Sequence, residues 1–299
     1  MPAISASMPS KLPVWQTVRA SYAIVGRNLR QLLRICWAWV LIMVPVYVAL
    51  DWLAQTWPGD SGAQAADRWL RGIAAALPSP IDTPFLASIA VAWHRLILRG
   101  ERVTRVAYVR LDRVVWRYVL YALAFLLLER GTLLISALLA EYLGIEVELI
   151  ELLAAPAATG ATMGVGLLVL PRLSLVMPAL ALGERLSLRH AWHMTRRNTL
   201  RLGAATALCM LPAVTLAMLV PLLMLLVGAP WWLGFSWPQI VALMWAIWPL
   251  WGLGIELSQS FAYAVFVAIV HPVLTIFGVT LLSLIYRFFA VPSEGGLQR

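Results

Sequence analysis

An all-α fold that crosses a membrane about six times, as three helical hairpins with basic amphipathic elbow helices on the cytoplasmic side, is what this sequence predicts. Three observations carry that expectation. The 299 residues are 62% apolar and only 12% charged, with a mean hydropathy of +0.82, whereas a soluble domain is roughly 45–50% apolar and about 25% charged. Apolar runs approach or exceed the ~20 residues that a helix needs to cross ~30 Å of hydrocarbon. Arginine clusters punctuate those runs on alternate sides.

The elements follow in chain order. Residues 1–10 and 292–299 are polar or Pro/Ser/Gly-containing tails, expected to be mobile. Residues 11–291 read as one transmembrane domain. Five apolar spans stand out, at 35–52, 84–98, 116–140, 159–182 and 203–228. The second is short and is expected to begin nearer Leu77, with Pro78, Pro80 and Pro84 shaping its start. The first run is long and has no small-x-small cleavage site after it, so it reads as an uncleaved span rather than a signal peptide. A last stretch, 231–291, is long enough for one crossing plus an interfacial helix or for two crossings.

Charge sets the orientation. Lys11, Arg19, Arg27, Arg30 and Arg34 precede span one, a second Arg cluster separates spans two and three, and a third separates spans four and five. The remaining loops carry Asp60, Asp67, Asp82, Glu141, Glu146, Glu148 and Glu151. By the positive-inside rule the Arg-rich segments and both termini face the cytoplasm of a bacterial inner membrane. Arg287 puts the last span's end inside too, which requires an even number of crossings and favours six. Residues 239–257 then lie at the outer interface or re-enter, in a region holding Trp231, Trp232, Trp237, Trp245, Trp248 and Trp251. Tryptophan favours the headgroup level, where its N–H stays wet.

The basic segments repeat. Arg19-x-x-Tyr22-x-x-x-x-Arg27 recurs as Arg105, Tyr108 and Arg113, and as Arg189, Trp192 and Arg197, with Asn28 matched by Asn198. Gly100-Glu101-Arg102 and Gly183-Glu184-Arg185 likewise close two even-numbered spans. A threefold hairpin repeat over about 11–98, 99–182 and 183–291 is the expectation. In the first copy Trp15, Val18, Tyr22, Val25, Leu29, Leu32 and Leu33 fall on one side of a helix. Arg19, Arg27, Arg30 and Arg34 fall on another, as in a helix lying in the membrane plane. Anionic-lipid contacts are therefore expected at Arg19, Arg27, Arg95, Arg105, Arg113, Arg189 and Arg197, each worth about 1 kcal/mol near such a surface.

Charges within a span are costly and mark sites of interest. Glu129, Arg130 and Arg172 fall at similar depth in spans three and four, which predicts a buried intramembrane ion pair or triad, either latching the helices in register or lining a relay. Trp93, His94 and Arg95 read as an interfacial anchor, and His271 before Pro272 as a helix–helix hydrogen bond or a kink. Gly160 and Gly164 form a small-xxx-small pair suited to close helix approach. His190 and His193 share a helical face without a third ligand, and Cys36 and Cys209 have no metal or disulfide spacing, so neither metal nor cofactor is expected. The chain has no phosphate loop, nucleophile elbow, His-Glu-x-x-His helix or dinucleotide fingerprint in a suitable context. An enzyme is not expected. The net charge of +9 lies in Arg flanking apolar runs, which argues for a membrane surface rather than nucleic acid.

Two stretches carry a resemblance. One is Val91-Ala92-Trp93-His94-Arg95 with Gly100-Glu101; the other runs from Arg172 to Glu184, followed by Ala191-Trp192 and Thr195-Arg196. Over about 91–201 the chain resembles multi-pass inner-membrane proteins of proteobacteria and the membrane domains attached to some glycerophosphodiester phosphodiesterases. The resemblance implies a six-span membrane domain. It implies no activity, because the phosphodiesterase chemistry of such fusions belongs to a separate soluble domain.

The expectation is thus a non-enzymatic inner-membrane protein that binds or organises anionic phospholipids. Two alternatives stay open: a transporter or channel with a polar path at Glu129, Arg130 and Arg172, and a membrane subunit serving a partner enzyme. A protein partner or a homo-oligomer is compatible with each.

Overall fold

The computed structural model describes residues 11–56, 78–104, 108–142, 164–228 and 261–290, and every regular element among them is helical. Helix α1 spans Val14–Arg27, α2 Leu29–Thr56, α3 Pro78–Arg99 and α4 Arg113–Tyr142. A π-helical turn, Val165–Val169, runs into α5, Leu170–Leu173, and α6, Val176–Leu182. The short α7, Leu188–Thr195, leads into α8, Thr199–Gly228, and α9, Phe261–Ala290, closes the set.

Among the described residues four stretches are long and apolar enough to cross a membrane: Leu29–Ala49, Ile81–Arg99, Val165–Leu182 and Ala268–Ala290, with mean hydropathies between 1.2 and 2.1. The chain is therefore a multi-pass, membrane-embedded helical protein. Helices α4 and α8 have 30 residues each, about 45 Å at 1.5 Å per residue. Leu41, Leu120, Leu127, Leu200 and Leu211 are largely exposed, as side chains facing lipid would be. The Trp-rich region 231–257, Gly160 and the tails lie outside the described residues.

The helix ends have local causes. Gly100 and Gly183 adopt φ of +71° and +80°, the left-handed conformation that lets glycine stop a helix. At Gly183 the Glu184 N–H reaches the Ala179 carbonyl at 2.9 Å and the Gly183 N–H the Leu180 carbonyl at 2.9 Å, a Schellman closure. Asn28 and Asn198 stand at the breaks between a short helix and the long helix that follows it, α1 and α2 in one case and α7 and α8 in the other. The Asn28 carbonyl starts α2, and the Asn198 carbonyl starts α8.

Two departures from expectation concern the elbows. In the second copy the described residues 101–104 and 108–112 are not helical. Asp112 caps α4, its Oδ1 accepting from the Val115 N–H at 3.0 Å, so the helix begins at Arg113. In the first copy α1 buries Thr17, Val18, Ser21 and Val25, while Trp15 is 67% exposed. The inward face is rotated toward the small polar residues, whose hydroxyls are satisfied locally: Thr17 donates to the Pro13 carbonyl and Ser21 to the Thr17 carbonyl.

The fourth span is broken. Pro171 and Pro178 have no N–H to donate. The Ser174 carbonyl, which Pro178 cannot engage, is taken by the Met177 N–H at 2.8 Å, and the helix turns between α5 and α6. The close approach in this part of the bundle is made by Gly203 of α8, where a Cβ would sit 2.9 Å from the Leu167 carbonyl oxygen; at Gly164 a Cβ would meet nothing within 4 Å.

Helix α9 is the hub. Ile276 and Val279 join a core with Ile35, Trp39, Ile89 and Trp93. Its lower turns, Leu281 and Ile285, join a second core with Leu12, Val18, Leu175 and Leu202. Two hydrogen-bonded clasps also join segments far apart in sequence. The Leu12 N–H donates to Asn198 Oδ1 at 2.9 Å, and Arg201 donates to the Leu12 carbonyl at 2.9 Å. The Val103 N–H donates to Gln31 Oε1 at 3.2 Å, and Arg34 to the Val103 carbonyl at 3.4 Å. Each clasp joins a non-helical segment to the first turns of a distant long helix, Leu12 to α8 and Val103 to α2.

Candidate functional site: a basic cleft beside helix α2

The break at Asn28 decides how the first arginines are presented. Its side-chain amide donates to the Ile24 carbonyl at 2.8 Å and caps α1, so the chain turns there before α2 begins. Arg27 stands before the turn, and Arg30 and Arg34 stand on successive turns after it. Across from them runs the segment after Gly100, pinned through Val103 to Gln31 and Arg34, which brings Arg102 to face them. Arg27, Arg30, Arg34 and Arg102, with Gln31 and Thr104, line a cavity of about 330 Å³. A second cavity of about 400 Å³ adjoins it, sharing Arg30, Arg34 and Thr104 and ending on Leu33 and Trp37.

Among the described residues no carboxylate lines either cavity. Glu101, next to Arg102 in sequence, is drawn toward Arg95 and Arg99, each 3.8 Å away. Four positive charges therefore share one cleft without a lining counter-charge, an arrangement that attracts phosphate. Leu33, Trp37 and Leu41 descend from it at i, i+4 and i+8 along α2 and are 64%, 40% and 64% exposed.

Of the arginines expected at lipid, Arg27 is in this cleft. Arg19, Arg113, Arg189 and Arg197 are exposed elsewhere, and Arg105 lies outside the described residues. Arg95 turns inward: its side chain is 15% exposed and donates to the Ala181 carbonyl at 2.8 Å. Together with Arg99, which donates to the Leu182 carbonyl, it caps the C-terminal end of α6, where cations are favoured. Sequence reasoning placed Arg30 and Arg34 on the polar face of the elbow but left them, and Arg102, out of the contact set. Their convergence depends on the turn at Asn28 and on the Val103 clasp.

Of the expected intramembrane triad, the side chains of Glu129 and Arg130 lie outside the described residues. Arg172 is 6% exposed. It donates to Thr195 Oγ1 at 3.1 Å and to the Trp192 carbonyl at 2.8 Å, and its guanidinium lies 3.4 Å over the Trp192 ring. It thereby ties α5 to α7.

Trp93 and His94 are not an interfacial anchor. Both are fully buried, because α3 turns them onto α9. The Trp93 N–H donates to Thr280 Oγ1 at 2.6 Å, and Thr280 passes its own hydrogen to the Ile276 carbonyl. His94 Nδ1 lies 2.7 Å from Ser283 Oγ and Nε2 lies 3.3 Å from the Tyr118 hydroxyl. Since the Ser283 hydrogen goes to the Val279 carbonyl, Nδ1–H is the donor to Ser283 and Nε2 accepts from Tyr118. Higher on the same helix pair, His271 makes the helix–helix hydrogen bond. Its Nδ1 is 3.0 Å from Asp82 Oδ2, which also accepts from the Tyr47 hydroxyl at 2.8 Å.

At the surface, Arg110 and Asp112 form a close ion pair. Partial burial is the largest single influence on the Asp112 carboxyl and raises its pKa. The Val115 N–H, Arg110 and Arg95 together outweigh it and hold the group below the usual carboxylate range. Among the described residues no three His, Cys, Asp or Glu side chains gather as a metal site. The chain matches no protein-family model, no curated protein and no solved structure.

Proposed function

We propose that this is a six-span bacterial inner-membrane protein without catalytic activity, whose basic cytoplasmic face holds anionic phospholipids. The observation that carries it is the cleft of Arg27, Arg30, Arg34 and Arg102, open above an exposed apolar stripe on α2. A phosphate in the cleft and an acyl chain on Leu33, Trp37 and Leu41 is the complement of that surface. The two clasps, at Leu12 and at Val103, support a further part of the proposal, that the three copies pack as one platform for organising lipid. The α4 and α8 helices, each 30 residues long, complete the six crossings, with the arginine clusters and both termini in the cytoplasm.

Purified protein reconstituted with a mixture of phosphatidylglycerol and phosphatidylcholine tests this. After re-extraction in mild detergent, the retained lipid is expected to be enriched in phosphatidylglycerol, and the enrichment is expected to fall in high salt. Retained lipid with the composition of the bulk mixture would refute the proposal. Reporter fusions at Arg110 and Arg196 that face the periplasm would refute the orientation.

A further inference from the structure

We infer that the cleft takes a phospholipid with two phosphates, of the diphosphatidylglycerol type, rather than one with a single phosphate. This rests on the anionic-lipid proposal above and narrows it.

Charge is the first ground. Four guanidinium groups line the cleft and, among the described residues, no carboxylate does. A single phosphodiester engaged by one or two arginines leaves the others facing one another uncompensated, whereas two phosphates match two pairs of arginines. Only Arg34 of the four is pinned, to the Val103 carbonyl at 3.4 Å. Arg27, Arg30 and Arg102 make no hydrogen bond or ion pair with another described residue, so their donors are available to a ligand.

Shape is the second. The two cavities, about 330 and 400 Å³, share Arg30, Arg34 and Thr104 in their linings. Each lobe is larger than one phosphate needs. Two phosphates joined by a glycerol would occupy both lobes, with Arg30 and Arg34 reaching either one. The second lobe ends on Leu33 and Trp37, which opens the way for acyl chains along α2. A soluble diphosphate would make no use of that stripe. Basic pockets beside transmembrane helices are suited to such headgroups.

The experiment is native mass spectrometry of the full chain in detergent, titrated with diphosphatidylglycerol, phosphatidylglycerol, phosphatidylcholine and inorganic pyrophosphate. One diphosphatidylglycerol is expected to bind per chain, about tenfold more tightly than phosphatidylglycerol, which is equivalent to about 1.4 kcal/mol. The triple variant R27A/R30A/R102A is expected to lose that preference while keeping its lipid-free melting temperature. The control R117A/R185A, which removes exposed arginines outside the cleft, is expected to keep the preference. Should the triple variant fail to fold, the ratio of the two affinities in the wild type and in R30Q decides the matter. Equal affinity for the two anionic lipids would overturn the two-phosphate inference while leaving the anionic-lipid proposal standing. Absence of any preference over phosphatidylcholine would overturn both. Competition by pyrophosphate as effective as that by lipid would assign the cleft to a soluble diphosphate and overturn the inference.

Discussion

Removing the Ser283 hydroxyl isolates one buried hydrogen bond between α3 and α9. In the wild type His94 Nδ1–H donates to Ser283 Oγ at 2.7 Å, and the ring is fully buried. An unpaired buried donor costs about 1–3 kcal/mol. Interhelical hydrogen bonds inside membranes average only about 0.6 and reach about 1.7 kcal/mol, because the separated helices find other partners. The short distance places Ser283→Ala near the upper end, about 1–1.5 kcal/mol. Tyr118→Phe removes a longer contact, 3.3 Å, and is expected to cost about 0.5 kcal/mol. The decisive measurement is the double-mutant cycle with His94→Leu. Once the imidazole is gone, Ser283 retains its bond to the Val279 carbonyl, and its own removal should cost little. Reversible unfolding in mixed micelles, followed by circular dichroism, is expected to give a coupling of about 1 kcal/mol. Strict additivity of the two substitutions would refute the bond and the tautomer assigned from it.

Gly203→Ala is expected to destabilise by about 1–3 kcal/mol, since the new methyl would lie 2.9 Å from the Leu167 carbonyl oxygen and 3.2 Å from the Leu168 side chain. Gly164→Ala, with nothing within 4 Å of the added atom, should be neutral or slightly stabilising, and equal melting temperatures for the two variants would remove Gly203 as the point of close approach. Asp112→Ala is expected to lower stability by about 1 kcal/mol through loss of the α4 cap. Because the folded Asp112 carboxyl is held below its unfolded value, its contribution is present above about pH 4 and is lost as the pH falls through the folded pKa. Melting temperatures between pH 6 and pH 3 should therefore fall more steeply in the wild type than in Asp112→Asn, and parallel curves would show that the cap does not titrate in that range.

Much of the helical layout was legible because it follows from local chemistry. The apolar runs are located by composition, although α2 starts at Leu29 and α4 at Arg113 rather than at the first run-forming residues, since Asn28 and Asp112 supply the caps outside the runs. Gly100 and Gly183 were readable as helix stops, because a left-handed closure is a property of glycine itself. The break in the fourth span was not read, because the stretch is uniformly apolar, although Pro171 and Pro178 carry its cause. Burial was not readable. Trp93, His94 and Arg95 look like an anchor from composition, yet two of them are in the core and the third caps another helix, because the rotation of α3 about its axis is set by what packs against it.

By itself, then, the order of residues determined that this chain is helical, lies in a membrane, and carries its positive charge in repeated clusters between apolar spans. Those properties depend on transfer free energies and on the backbone preferences of single residues, which operate wherever the residue sits. Only the tertiary structure decided which arginines meet. Arg27, Arg30 and Arg34 come to face Arg102 because Asn28 breaks one helix and Gln31 and Arg34 hold Val103. Convergence of groups some seventy positions apart depends on hydrogen bonds and packing between elements, and no periodicity within either segment encodes it.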